Sequence, residues 1–338
     1  MNNTTKKINI EKLNLNAIEN LPDLILESEN FFNSQIATIC KEAVKNTQLK
    51  FVMLAGPSAA GKTTTSSLLS LNFKLLGKRV VIISLDNFFL PRLKTPKLPD
   101  GSFDFESVKA LDLKYLNKFV KDLLTKKMAF MPIYNFKTGK PEKNMEKIVV
   151  DDNTIIIFEG LHALNPDLIK QNSNEFLKLY IMPNSEFEND GEIVLNSESI
   201  RMLRRITRDH YSRGHSPAAT IKMWNNVLRG EKLYINPYIP LADYKINSIH
   251  DYEPLLYVNY TKKLLINEKN QLQENEGDIK NVIENLIDAL NHFEPIDKSL
   301  VPTNSLLWEF INTAEWNIKS VFQIFNKKVE GCFHAFFF

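Results

Sequence analysis

Cysteine is nearly missing from this chain of 338 residues, with Cys40 and Cys332 the two present. Two thiols make neither a disulfide framework nor a four-ligand zinc site, so the chain reads as a reduced, intracellular protein whose metal chemistry would be oxygen-bound. Long apolar runs are missing too. Nowhere do about 18 apolar residues follow one another as a bilayer span requires, and MNNTTKKINIEKLNLN lacks the apolar stretch of a signal peptide. The expectation is a cytoplasmic protein with no membrane partner. With 11 Gly and 15 Pro, a collagenous or low-complexity polymer is excluded. Charge of one sign is absent in bulk: 42 basic against 40 acidic side chains leave +2, so no nucleic-acid partner is expected and any basic function must be local. What is present is 43% hydrophobic and 24% charged residues, enough to bury a core in one large α/β domain with extensions or in two modest domains.

Apolar periodicity organises the chain. Phe32, Ile36, Ile39, Cys40 and Ala43 recur at helical spacing between Ser28 and Asn46, with Ser28 as the candidate cap of an entry helix. The run at 49–56 that ends in glycine, the helix-forming stretch at 62–76 and RVVIIS at 79–84 form a strand, helix, strand unit. Further strand-like runs lie at 154–158 and 176–182, and a weaker one at 244–249. Strands separated by helical stretches predict a doubly wound, mainly parallel sheet. The polar stretch 267–278 reads as a linker to a helix whose face carries Val282, Ile283, Leu286, Ile287 and Leu290. The predicted divisions are an N-terminal helical extension at 1–47, a catalytic domain at 48–266, and a linker with a helical appendix at 267–338. The aromatic end CFHAFFF either docks on the core or mediates self-association into a homo-oligomer.

Residues 56–63 read GPSAAGKT, a phosphate-binding loop. The loop leaves an apolar strand and opens a helix, so backbone N–H groups of Gly56, Pro57 to Ala60 (Pro57 itself lacking one), Gly61 and the helix start at Lys62, Thr63 and Thr64 converge on phosphate. Ser58 and Ala59 belong to the same cradle; Lys62 reaches the β and γ oxygens and Thr63 holds magnesium. The implied cofactors are ATP and Mg2+. No NKxD tetrapeptide and no LSGGQ signature occur, which turns the reading from switches and transporters toward a small-molecule kinase.

Such an enzyme needs a carboxylate near magnesium to take the proton of an acceptor hydroxyl. Asp86, just past the second strand in SLDNFF, is the candidate base, placed where ligand sites of open α/β sheets gather. Glu159 ends the strand TIIIF as a Walker-B type acid would, in position to hold magnesium through water. Asp86 and Glu159 stand in the metal's neighbourhood with Thr63. Between them the chain is far longer than one crossover helix needs, so an insertion there offers an acceptor site. It contains Asp104, Tyr134 and Phe136. Asp104 either grips sugar hydroxyls or caps the helix that runs through Leu124, and the two aromatics either stack on a flat base or form one face of a strand; the pattern leaves both choices open.

Of eight arginines, five (Arg201, Arg204, Arg205, Arg208 and Arg213) fall in one short segment without lysine. Positions 201, 204, 205 and 208 share a helical face, and fork-shaped donors suit phosphate oxygens, so the segment reads as a lid whose arginines comb bound triphosphate. The six histidines show no metal-ligand spacing and receive no role.

In order and spacing, GPSAAGKT, SLDNFF, SFDFES, PIYNFKTGK, IIIFEGLHALNP and RMLRRITRDHYSRG resemble the uridine kinase and phosphoribulokinase family over about residues 50 to 250, and within it bacterial uridine-kinase-like nucleoside kinases with an N-terminal extension. The resemblance implies the P-loop NTPase fold and ATP-dependent phosphorylation of a small-molecule nucleoside, uridine or cytidine, at the ribose 5′-hydroxyl by direct in-line transfer, a pyrimidine-salvage activity. By resemblance Asp86 is the general base, Glu159 an acidic helper near magnesium, and Asp104 a binder of ribose hydroxyls. Tyr134 and Phe136 face the base, and Arg204, Arg205, Arg208 and Arg213 belong to a mobile lid that Arg201 begins. The acceptor loop reads YNFKTGK where the well-known uridine-cytidine kinases carry a histidine that helps identify the pyrimidine. A sugar-phosphate kinase of the phosphoribulokinase type and a non-catalytic ATP-dependent binding module are the alternatives.

Overall fold

A computed structural model describes residues 4–99, 101–169, 173–273 and 276–311. The chain forms two compact units: one holds Phe32–Met182 and Trp224–Ser248, the other Thr5–Phe31, Pro183–Met223 and the described residues from Ile249 onward.

The first unit is built on five strands, Phe51–Ala55 (β1), Arg79–Ser84 (β2), Thr154–Glu159 (β3), Phe176–Met182 (β4) and Tyr244–Asn247 (β5). Every pairing in this sheet is parallel, in the order β5-β4-β1-β3-β2. All five residues of β1 and all six of β3 are buried, as strands covered on both faces require, which is why they read as unbroken apolar runs rather than alternations. Phe51 stacks on Phe176 at 5.1 Å between ring centroids, tying β1 to β4 inside a core that also holds Met53, Ile83, Ile156 and Phe158. Helix α1 (Lys62–Leu75) follows β1 directly.

The stretch between β2 and β3 is an insertion of its own. It contains helix α2 (Leu113–Lys126) and two small antiparallel hairpins, Met128–Met131 with Glu146–Val149 and Tyr134–Asn135 with Lys140–Pro141. Leu116, Phe119, Val120 and Leu123 form the buried stripe of α2, at the spacing of one helical face. Its cap is Asp112, whose carboxylate accepts from the Tyr115 N–H at 2.9 Å, so Asp104 does not cap it.

The second unit pairs Lys6–Asn9 with Ser185–Asn189 in parallel and the latter with Glu192–Leu195 antiparallel. Its helix α3 (Ser197–Arg213) is capped by Asn196, which accepts from the Ser199 N–H, and ends at Gly214 in the left-handed conformation.

Two expected boundaries shift. The entry helix spans Leu21–Ala43, and Ser28 lies inside it, 2% exposed, with its hydroxyl accepting from the Asp251 N–H. A side chain that looks like a cap is therefore a tertiary hydrogen bond. The expected linker at 267–278 is shorter, because one helix continues to Lys269 and the next begins at Gly277. The aromatic C-terminus lies outside the described residues.

Candidate active site

The phosphate loop joins β1 to α1 at the C-terminal end of the central strand, flanked by β4 on one side and β3 on the other. That is the place where open parallel sheets bind ligands. Gly61, at φ +93°, and Ala59, at φ +59°, both take the left-handed conformation, so the loop curls tightly into the first turn of α1. The Lys62 ammonium donates to the carbonyls of Gly56 and Pro57, each at 2.9 Å, and so folds across its own loop. Thr63 is exposed at the start of the helix, while Thr64 and Thr65 turn inward, 3% and 0% exposed. Ser58 is half-buried and Ala60 is buried.

Gly56 has a packing reason. A Cβ there would lie 2.4 Å from the Ile181 carbonyl oxygen and 2.9 Å from Ile181 Cγ2, so only glycine lets the loop pass β4. Gly56→Ala is expected to displace the loop and weaken nucleotide binding at least tenfold while β1 stays buried; an ATP titration near wild-type affinity would contradict this.

Glu159 is the last residue of β3 and sits between two neighbours in register, Leu54 of β1 and Ser84 of β2. It is 8% exposed. Two residues beyond Ser84, Asp86 lies in the short helical turn Leu85–Phe88 and is exposed. The phosphate loop, Glu159 and Asp86 therefore follow three strands that are adjacent in the sheet, and all leave by the same end. Gly160 allows Leu85 to close in: a Cβ there would lie 2.8 Å from Leu85 Cβ.

In the insertion, the pair Tyr134 and Phe136 gains a third aromatic that the sequence reading missed. Phe89 lies 5.6 Å from Tyr134 and 6.2 Å from Phe136, which are 5.0 Å from each other. Tyr134 is buried and Phe136 is 59% exposed, so the cluster offers one free aromatic edge. Arg92 braces this hairpin by donating to the Phe136 carbonyl at 3.0 Å.

Asp104 is 5% exposed. Its Oδ2 accepts from the Tyr234 hydroxyl at 2.7 Å and its Oδ1 from Arg229 at 3.2 Å. Both donors come from helix α4 (Pro217–Tyr234), which approaches closely because residue 230 is glycine: a Cβ there would lie 2.5 Å from Glu106 Cβ. The hydrogen bond to Asp104, with burial, pushes the Tyr234 phenol above its ordinary pKa, and Tyr234 stays a donor. Beside it, His162 is 4% exposed with its ring 6.2 Å from that of Tyr234. Burial lowers its pKa to about 4, so the imidazole is neutral at pH 7. Tyr234, Arg229 and His162 carry no motif-like spacing to Asp104, and only the fold brings them together.

The arginine segment is helix α3, in the second unit. Arg204 departs from the expected comb. It is 0% exposed and holds Glu253 through two bonds, at 2.6 and 2.7 Å, with its guanidinium 4.6 Å from the centre of the Phe310 ring. Burial opposes its charge and Glu253 more than restores it, so its pKa stands above the ordinary value. Arg201 is also inward, 5% exposed. The remaining three gather on one buried acid: Asp209 lies 3.3 Å from Arg205, 2.8 Å from Arg208 and 3.2 Å from Arg213. Three guanidinium groups thus share one buried carboxylate.

A parallel sheet with a phosphate loop at its central strand narrows the chain to phosphoryl-transfer and related nucleotide proteins, and the comparison by family decides among them. Residues 51–253 match the model of the phosphoribulokinase / uridine kinase family. The chain belongs to that family. It is a phosphotransferase enzyme, a P-loop kinase. Among relatives, it is 29% identical over 179 residues to a uridine kinase of Mycoplasma genitalium, covering 52% of this chain and 74% of that one. It is 27% identical over 233 residues to a uridine kinase of Saccharomyces cerevisiae, of whose length it spans 41%. A solved structure of a possible uridine kinase from Bacillus stearothermophilus covers 63% of this kinase at 18% identity, with a TM-score of 0.44. Among the described residues, no helix is long and apolar enough to cross a membrane.

Proposed function

We propose that this kinase transfers the γ-phosphoryl group of ATP to the 5′-hydroxyl of a nucleoside, uridine or cytidine, with residues 48–266 carrying the chemistry. The single observation that carries the reading is the alignment of the phosphate loop, Glu159 and Asp86 at the ends of three adjacent strands, beside an insertion that holds an aromatic cluster and a buried carboxylate. Gly56, Gly61, Lys62, Thr63 and Thr64 bind the triphosphate, with Lys62 exchanging its two carbonyl partners for phosphate oxygens.

Asp86 accepts the proton of the attacking hydroxyl, which leaves the oxygen nucleophilic as it meets phosphorus in line with the departing ADP. The oxygen donors fit magnesium. Thr63 offers a hydroxyl at the helix start, and Glu159 and Asp86 follow from adjacent strand ends. When bound, magnesium would supply charge neutralisation of the phosphate oxygens. Asp104 binds the ribose and Phe136 with Tyr134 packs against the base. Arg205, Arg208 and Arg213 act as phosphate-binding groups; Arg204, enclosed by Glu253, is left out, and Arg201 supports the segment.

The test is a panel of acceptors with [γ-32P]ATP and magnesium: ribonucleosides in one arm, sugar phosphates in the other. Label in a nucleoside monophosphate, lost in Lys62→Ala, is the expected result. Label in a sugar bisphosphate alone would overturn the nucleoside reading, and magnesium-ATP binding with no labelled product would favour a non-catalytic module.

A further inference from the structure

Four side chains of the first unit converge on a buried polar cluster whose hydrogen bonding is incomplete in a definite way. Asp104 has one donor on each oxygen, Tyr234 on Oδ2 and Arg229 on Oδ1. His162 Nδ1 is buried and has no partner among the described residues. A neutral imidazole carries one lone-pair nitrogen, and Nδ1 is the ring nitrogen left without a partner here. Arg229 Nε is likewise buried without a partner among the described residues. An acceptor and a donor left unmet beside a carboxylate cost stability, and native interiors keep few of them without a reason.

Tyr234 covers this arrangement. Its hydroxyl sits on Asp104 while its ring packs edge-on against His162. Turning that one side chain aside would free Asp104 Oδ2 and open the ring contact with His162, whose Nδ1 is unmet, while Arg229 holds the other carboxylate oxygen. Two neighbouring acceptors and a donor complement two adjacent hydroxyl groups, each of which donates one hydrogen bond and accepts others.

We propose that Tyr234 is a displaceable stand-in for a substrate hydroxyl, and that His162 is a second recognition group of the acceptor site, so that Asp104 Oδ2 and His162 Nδ1 each take one hydroxyl of a vicinal diol. This deepens the nucleoside reading and rests on it: the diol is the 2′,3′ pair of the ribose. The phenol keeps the buried carboxylate satisfied when no acceptor is bound and yields its place to a hydroxyl of the same chemistry. The exchange conserves the bond to Asp104 and adds the one that His162 lacks.

The test measures kcat/KM for uridine, 2′-deoxyuridine and 3′-deoxyuridine in wild type, His162→Leu, His162→Asn and Tyr234→Phe. Removing one hydroxyl from the substrate and removing its acceptor from the protein should not add, because either change alone breaks the same bond. His162→Leu is expected to lower kcat/KM for uridine about 10–100-fold, and that for one of the two deoxy analogues less than about threefold, so the preference over that analogue collapses. The preference over the other analogue, read by Asp104, should persist. His162→Asn, which restores an acceptor near the position of Nδ1, should recover most of the lost preference. Tyr234→Phe keeps the ring and removes the competing hydroxyl, so KM for uridine should fall several-fold at unchanged kcat.

Equal losses for uridine and both analogues in His162→Leu would make His162 a packing residue and overturn the proposal, as would a raised KM in Tyr234→Phe. Wild-type enzyme that labels no nucleoside would overturn the nucleoside reading and this proposal together. Active wild type with hydroxyl preferences untouched by His162 overturns this proposal alone. The preference is a ratio within one preparation, so a poorly folding variant lowers the signal without changing the quantity read.

Discussion

Asp86→Asn is expected to leave ATP affinity within about twofold of wild type and to lower the rate of phosphoryl transfer by roughly 10²–10⁴, the range for loss of a general base. Asparagine has nearly the volume of aspartate and keeps one acceptor oxygen, so the turn Leu85–Phe88 should persist. What it loses is the capacity to hold the proton of the attacking alcohol. The position makes the test decisive, because Asp86 is exposed while Glu159, one strand away, is buried at 8%. A neighbouring acid could otherwise substitute for it. If Asp86→Asn turns over within about fivefold of wild type and Glu159→Gln does not, the base is Glu159 and Asp86 leaves the mechanism. The fall should appear in kcat rather than in KM for ATP, since the bond to the alcohol proton strengthens in the transition state.

The second large effect concerns stability. Glu253→Ala should lower the unfolding free energy of the second unit by about 3–5 kcal/mol, the cost of leaving a buried charge without its partner. Arg204 is 0% exposed and Glu253 is 0% exposed, and Glu253 also accepts from the Tyr257 hydroxyl at 2.6 Å, so its removal orphans two donors. Burial and the facing carboxylate push the Tyr257 phenol well up, which keeps it protonated and donating. Replacing both partners, Arg204→Met with Glu253→Leu, should recover most of the loss, because the apolar pair carries no charge to desolvate. Urea unfolding followed by circular dichroism reads the difference. A double variant as unstable as Glu253→Ala would show that the geometry of the pair, rather than an uncompensated charge, sets the cost. Transfer activity in the double variant should stay within about threefold of wild type if Arg204 is a structural group.

That last contrast shows what the sequence could and could not say. A run of five arginines reads as a comb because side-chain spacing on a helix is legible: 201, 204, 205 and 208 do fall on one side of α3. Which side faces inward depends on partners far along the chain. Glu253, 49 residues after Arg204, turns one arginine into an interior strut, and Asp209 gathers three others. No local rule announces either. The five sheet strands, by contrast, were legible, with the runs at 49–56 and 244–249 overshooting Phe51–Ala55 and Tyr244–Asn247 by up to two residues at an end. Burial on both faces removes alternation and leaves unbroken apolar runs such as FVMLA and TIIIFE. The phosphate loop was legible for a related reason: its geometry needs glycine and its chemistry needs Lys62 and Thr63, so the constraint is written in consecutive positions.

The acceptor region was half legible. Asp104, Tyr134 and Phe136 stand out by residue type within a long insertion, whereas Phe89, Arg229, Tyr234 and His162 join them through folding alone. His162 lies three residues after Glu159, and its sequence signal is a polar ring embedded in the apolar run FEGLHAL. Ser28 erred in the other direction. Its residue type suits a cap, but helix Leu21–Ala43 begins seven residues earlier and buries the hydroxyl against the Asp251 backbone.

The central claim is that one phosphoryl group passes straight from the loop-bound triphosphate to an alcohol readied by Asp86. It is tested most directly by following phosphorus chirality, with ATP made chiral at the γ position by oxygen isotopes and uridine as acceptor. A single inversion is expected, with the labelled phosphoryl group attached to the 5′ oxygen. Retention at phosphorus, or label delivered to water alone, would contradict it.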